Sequence, residues 1–221
     1  MKYRIGYIDE DDRQVKLYTR KLKEYGFEVI GYDFQKGMTP RDLMEQVYSS
    51  DIDLLMIDFK LKESNIVSFN GEAIESLIYE NKPLFPHIIF TNKVDQAEPF
   101  IEDWKIIFDK DEIFTDEEDD NEKVIRFITI LKKSIEQYKN HISNKKAELS
   151  FLLEKGEKEE LSALEKNDLL TIQDELNSLD KTKKLEVPKQ LISNEKIEYL
   201  AKTRKEAEDF LQSLIDKSKT K

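Results

Sequence analysis

Several residues able to do chemistry stand directly after short apolar runs. Asp9-Glu10-Asp11 follows Tyr3-Arg4-Ile5-Gly6-Tyr7-Ile8, Asp58 follows Leu54-Leu55-Met56-Ile57, Thr91 closes His87-Ile88-Ile89-Phe90, and Asp109-Lys110 closes Lys105-Ile106-Ile107-Phe108. Carboxylates brought to one rim repel one another unless a cation neutralises them, and an oxygen-only donor set selects a hard ion such as Mg²⁺. A carboxylate beside such an ion is a competent nucleophile towards phosphorus, giving an acyl phosphate. A lysine ammonium can stabilise the charge on the transferred oxygens, and a threonine hydroxyl can hydrogen-bond the bound phosphoryl group.

The elements that must position these residues are readable from the apolar spacing. Tyr3 to Ile8 is predicted as a strand, followed by a helix from Asp12 to Tyr25 with Val15, Tyr18, Leu22 and Tyr25 on one face, stopped at Gly26. Phe27 to Tyr32 reads as a second strand. Thr39-Pro40-Arg41-Asp42 has the hydroxyl, proline and acid of a helix start, and that helix is expected to reach Ser49. Leu54 to Asp58 is a continuous apolar run closed by an acid, as in a central strand covered on both faces. Gly71 to Glu80 is predicted as a helix with Ala73, Ile74, Leu77 and Ile78 inward. His87 to Thr91 and Lys105 to Asp109 give two further strands, separated by a weakly helical stretch from Asp95 to Asp103. Five strands alternating with helices imply a doubly wound α/β domain, because parallel neighbours need crossovers. In such a sheet the functional crevice lies beyond the carboxyl ends of the strands, where the acids, threonine and lysine stand.

Composition divides the chain. Residues 1–120 hold 15 Lys+Arg and 28 Asp+Glu, a net −13, whereas residues 121–221 hold 21 and 19, a net +2, giving the total of −11. Most aromatics, five of the six glycines and four of the five prolines also lie in the first part. The rest is predicted all-helical, with apolar residues at Ile128, Leu131, Ile135, Tyr138, Ile142, Leu149 and Leu152, interrupted at Lys145 and ending at Gly156, a heptad seam. Leu161, Leu164, Ile172, Leu176 and Leu179 mark a second helix, and Ile197, Leu200, Ala207, Leu211 and Leu214 a third beyond Pro188. The divisions are therefore an α/β domain over 1–120, an extended helix over 121–155 and a helical output region over 156–221. A first helix of roughly 34 residues at about 1.5 Å each would extend about 50 Å, which favours a homodimer through the C-terminal helices over an intramolecular hairpin. The chain has no cysteine and no apolar window long enough for a membrane span, so a cytoplasmic protein is expected. Neither half has the clustered basic excess that nucleic acid requires.

Asp9-Glu10, Asp58, Thr91 and Lys110, in this order and at these strand ends, resemble the receiver domains of two-component response regulators over residues 1 to about 120. The resemblance implies a flavodoxin-like five-stranded parallel sheet and phosphoryl transfer to Asp58. It also implies Mg²⁺ held by Asp9, Glu10, Asp58 and the backbone carbonyl of Lys60, with Thr91 and Lys110 sensing the phosphorylated state. A histidine kinase or phosphotransfer protein would be the donor and a downstream protein the effector, with no separate enzyme domain. The sequence departs from the family pattern at four places. Lys62 stands where a proline is usual, and Gly71 follows Asp58 by thirteen residues rather than about eight, so that an inserted loop, Glu63 to Phe69, is expected to overhang the site. Asp111 replaces the usual proline after Lys110, and Ile107 takes the position of a switching aromatic. A pseudo-receiver adaptor and an atypical DNA-binding regulator are the competing readings.

The remaining chemistry-capable residues have simpler expected roles. Asp11 or Asp12 caps the first helix, His87 and His141 are structural or solvated, and Phe100 and Trp104 are core residues packing the fourth helix on the sheet. The run Asp116 to Asp120 favours a helix start. It lacks the alternating oxygens and central glycine of a calcium loop.

Overall fold

Period-two alternation decides which side of the sheet each strand residue serves. Ile5, Tyr7, Leu54, Met56, Ile88 and Phe90 point into one apolar cluster, and Ile8, Leu55, Ile57 and Ile89 into another. Burial on both faces is what a parallel sheet flanked by crossover helices produces.

The computed structural model describes residues 3–114 and 121–180, with Glu186, Pro188 and Leu191. The order of elements is β1 (Tyr3–Ile8), α1 (Asp12–Lys23), β2 (Phe27–Gly31), α2 (Pro40–Ser49), β3 (Leu54–Ile57), a 3₁₀ turn (Leu61–Ser64), α3 (Gly71–Asn81), β4 (His87–Thr91), α4 (Val94–Ala97), a second 3₁₀ turn (Trp104–Ile106), β5 (Ile107–Asp109), α5 (Lys110–Ile113), α6 (Asn121–Lys158) and α7 (Ala163–Leu179). All five strands are parallel, in the order β2-β1-β3-β4-β5, which is the expected doubly wound sheet. The chain winds outward from β1 to β2 and then returns to the other side through β3. The switch in winding direction therefore falls between β1 and β3, whose next residues are Asp9 and Asp58.

The local signals act as their chemistry requires. Asp11 caps α1, its carboxylate accepting from the Arg13 amide, and Gly26 takes φ 89° where the chain turns into β2. Thr39 and Asp42 form a reciprocal capping box with Pro40 at the first turn.

The chain divides into two compact units, residues 1–144 with 177–184, and residues 145–176 with 185–221, so α6 contributes to both. In the first, α2, α3 and α4 cover one face of the sheet, while α1, α5 and the start of α6 cover the other, where Phe127, Ile128, Leu131 and Ile135 are buried. In the second, Leu149, Leu152, Leu161, Leu169, Ile172 and Leu176 are buried, and Lys145 pairs with Glu175 at 2.9 Å and Lys155 with Glu165 at 2.6 Å. The buried seam residues are thus covered within the chain. Lys145, the interruption in the seam, serves as an ion-pair partner.

Several expectations are corrected. Helix α6 passes through Gly156 to Lys158, because one interior glycine costs a helix only about 1 kcal/mol. Leu161 exploits the missing Cβ, its Cδ1 standing 3.3 Å from where one would be. Of the residues that mark the second helix, Leu161 precedes α7 and is buried, while Leu164 lies within it and is exposed. Phe100 and Trp104 are not core residues: they are 64% and 68% exposed. Pro99 has no amide hydrogen with which to extend the helical ladder, so α4 is a single turn, and the core is filled here by Ala97 at its end and Ile101 beyond it instead. Strand β5 starts at Ile107, because the Asp103 side chain accepts from the Lys105 amide and holds Trp104–Ile106 in a 3₁₀ turn. The third helix beyond Pro188 and the acidic run Asp116 to Asp120 lie outside the described residues. Among the described residues no helix is long and apolar enough to cross a membrane.

Candidate functional site

The rim at the carboxyl ends of β1, β3 and β5 gathers three of the predicted residues into one buried ion cluster. The Lys110 ammonium, at the start of α5 and 4% exposed, donates to Asp9 Oδ2 at 2.8 Å and to Asp58 Oδ1 at 2.7 Å. Tyr7 and Phe90 present their rings to the same ammonium, with centroids at 5.5 and 5.8 Å. The remaining carboxylate valences are largely filled. Asp9 Oδ2 also accepts from the Tyr7 hydroxyl at 2.5 Å and Asp9 Oδ1 from the Asp11 amide at 2.9 Å, while Asp58 Oδ2 accepts from the Lys60 amide at 2.7 Å.

Burial opposes the charge on Lys110, but the Asp58 and Asp9 carboxylates outweigh it and hold the ammonium above its ordinary range. Burial raises the Asp58 carboxyl, with Lys110 pulling the other way and the Asp9 charge adding to the rise. Glu10, beside the cluster, has a buried Oε2 with no hydrogen-bond partner, and burial, opposed by a backbone hydrogen bond and aided by the Asp9 and Asp58 charges, pushes it up to about 7. Thr91 is buried at the end of β4, paired in register with Asp109, and its hydroxyl accepts from the Lys93 amide at 3.2 Å.

Donor chemistry fits Mg²⁺: the groups at this rim are carboxylates, one of them with an unsatisfied buried oxygen. Even so, no group of three acidic or imidazole side chains stands at ion-holding distance among the described residues. Asp9 and Asp58 are instead joined by Lys110, so a divalent ion at this rim competes with the ammonium for the same two carboxylates.

One contributor to the site carries no signal of that role in the sequence. A Cβ on Gly71 would stand 2.7 Å from the Asp58 carbonyl oxygen and 3.1 Å from the Phe59 Cα, and the Gly71 amide donates to the Phe59 carbonyl at 2.9 Å. Glycine therefore lets the start of α3 close against the backbone that carries Asp58. The distance in sequence from Asp58 disguises this role. The intervening chain forms the 3₁₀ turn and then a loop whose Val67 and Phe69 are buried with Leu43 and Phe59, and whose Ile66 carbonyl accepts from the Gly37 amide. This loop, expected to overhang the site, is thus pinned to the core. The bond after Lys110 is trans, and Ile107 packs part-buried against the α2–α3 cluster.

No family model and no curated protein matches the chain. Over about 60% of its length it is similar to solved response regulator receiver domains. Response regulator protein TrrA from Thermotoga maritima, in complex with Mg²⁺-BeF, is 16% identical with a TM-score of 0.42, over 58% of this chain and 99% of that one. The receiver domain of Francisella response regulator 1452 is 17% identical with a TM-score of 0.41, over 59% and 97%. A CheY-like receiver domain protein from Methanospirillum hungatei is 14% identical with a TM-score of 0.41, over 62% and 99%. The sheet order and flanking helices of the first unit are those of the expected flavodoxin-like doubly wound fold, and a helical region follows it in the chain.

Proposed function

We propose that this chain is a response-regulator-like signalling protein whose Asp58 accepts a phosphoryl group from the phosphohistidine of a histidine kinase or phosphotransfer protein. The observation that carries the reading is the bridge from Lys110 to both Asp9 and Asp58 at the switch between β1 and β3. An oxygen of Asp58 attacks phosphorus, the P–N bond breaks, and its electron pair returns to the imidazole of the donor. Mg²⁺, held by Asp9, Glu10, Asp58 and the Lys60 carbonyl, would neutralise charge on the phosphoryl oxygens. Lys110 follows the charge from the free carboxylate to the acyl phosphate, and the Thr91 hydroxyl is the candidate hydrogen-bond donor to the bound group. The chain is a phosphoryl acceptor rather than an enzyme with a separate substrate. Its helical region hands the change to a protein partner or a second copy; among the described residues of the second unit, Phe151, Leu164 and Leu170 are large apolar side chains left exposed.

Intact mass after incubation with Mg²⁺ and a small acyl-phosphate donor tests the reading. One phosphoryl adduct is expected, absent in Asp58→Asn and without metal. A metal-independent adduct, or one that survives Asp58→Asn, would overturn it. Sedimentation with and without the donor then tests whether the helical region responds.

A further inference from the structure

A second buried acid lies away from the rim, on α3. Glu75 is only 4% exposed, yet its Oε1 is buried with no hydrogen-bond partner. Glu72, one turn earlier on the same helix, likewise has a buried Oε2 without a partner. Across from α3, the stretch that follows α4 brings up Glu102 and Asp103, and β4 brings up His87. The His87 ring makes an edge contact with Tyr79, its Nδ1 bonds the Phe85 carbonyl at 2.8 Å, and its Nε2 is buried and unpartnered. The charged groups acting on Glu75 are the carboxylates of Glu102, Asp103 and Glu72. An ionised carboxylate without a partner is costly to bury, and carrying a proton removes both the desolvation cost and the repulsion.

We propose that Glu75 is a proton-carrying acid whose ionisation loosens residues 98–106 from α3, so that the face carrying Phe100 and Trp104 responds to pH. Burial, then the Glu102, Asp103 and Glu72 charges, push the Glu75 carboxyl up to about 7, which puts the transition in the neutral range. Residues 98–106 are suited to respond. They form neither strand nor α-helix, and the Asp103 carbonyl and side chain organise the turn that presents Trp104. They also lead to the phosphoacceptor: the Phe100 ring lies 6.0 Å from that of Phe59, the residue after Asp58. Below the transition Glu75 is neutral and the stretch is seated; above it, three carboxylates face a fourth.

Trp104 is the single tryptophan of the chain and stands beside Asp103, so its fluorescence reads this stretch directly. The full chain, titrated from about pH 5.5 to 8.5 with no phosphoryl donor present, is expected to show one transition near neutrality. Glu75→Gln should abolish it, His87→Gln should leave it, and Glu102→Gln should shift the midpoint to lower pH by removing a like charge. A flat wild-type titration, a transition that survives Glu75→Gln, one lost in His87→Gln, or a midpoint unmoved by Glu102→Gln would each overturn the proposal. Because no phosphoryl chemistry enters the measurement, its outcome is independent of whether Asp58 is phosphorylated.

Discussion

The rim cluster and the α3 cluster bury carboxylates to similar depth but resolve the cost in opposite ways. At the rim, Asp9 and Asp58 share one ammonium and accept hydrogen bonds from a tyrosine hydroxyl and two backbone amides. Around Glu75 the neighbouring charges are of its own sign, and one oxygen has no donor. The first arrangement stores a charge pattern that a phosphoryl group or a cation would rearrange. The second stores a proton. A buried acid's neighbours, rather than its depth, decide which of these it does.

Removing the shared cation gives the sharpest contrast. Lys110→Met leaves two buried carboxylates facing each other and should destabilise the fold by about 3–5 kcal/mol in urea denaturation at pH 7. Adding Asp58→Asn removes one of the stranded charges and should recover a large part of that loss. A single-variant cost under about 1 kcal/mol would mean that water or side-chain rearrangement already screens the pair, and the contrast would fail. Next in size is Tyr7→Phe, which deletes the hydroxyl donor to Asp9. A hydrogen bond to a charged acceptor contributes about 1.5–3 kcal/mol, so a loss near 2 kcal/mol is expected.

The α3 cluster should show the opposite sign. The folded-state carboxyl of Glu75 sits above its unfolded value, so the folded chain binds the extra proton between roughly pH 4.5 and 7. Its contribution to stability is therefore fully present at low pH and is lost as pH rises through about 7. Glu75→Gln makes the neutral form permanent. It should stabilise the protein at pH 8 by about 1–2 kcal/mol more than at pH 5. Equal effects at the two pH values would show that Glu75 ionises as freely in the folded chain as in the unfolded one.

The difference between the clusters also explains what is legible in the sequence. Each rim residue closes an apolar run, and a parallel sheet brings strand ends together whatever lies between them, so Asp9, Asp58, Thr91 and Lys110 can be placed from spacing alone. Gly71 is legible as a helix start but not as the residue that lets α3 close on Asp58, because the 3₁₀ turn and pinned loop hide that approach. Glu75 looks like an ordinary polar helix position between Ile74 and Ile78. Its neighbours Glu102 and Asp103 lie beyond β4 in a stretch expected to be weakly helical, and no local pattern indicates that they return to α3. The same stretch conceals the exposure of Phe100 and Trp104. Their apolar character suggests burial, whereas the core takes Ala97 and Ile101 from this stretch and leaves both rings in solvent.

The smallest effect should come from Glu102→Gln, and it tests whether the α3 cluster is held together by charge or only by burial. Glu102 is exposed, so its repulsion of Glu75 acts partly through water and is screened by salt. At pH 8 and low ionic strength, removing it should stabilise the fold by no more than about 0.5 kcal/mol. At pH 5, where Glu75 carries its proton, the gain should vanish. It should vanish again at pH 8 in about 1 M salt, where the screening length falls to about 3 Å. A gain that persists under both conditions would come from local packing or helix propensity rather than from Glu75. One that disappears under both would leave Glu75 answering to the charges around it, as Asp9 and Asp58 answer to Lys110, but with the sign reversed.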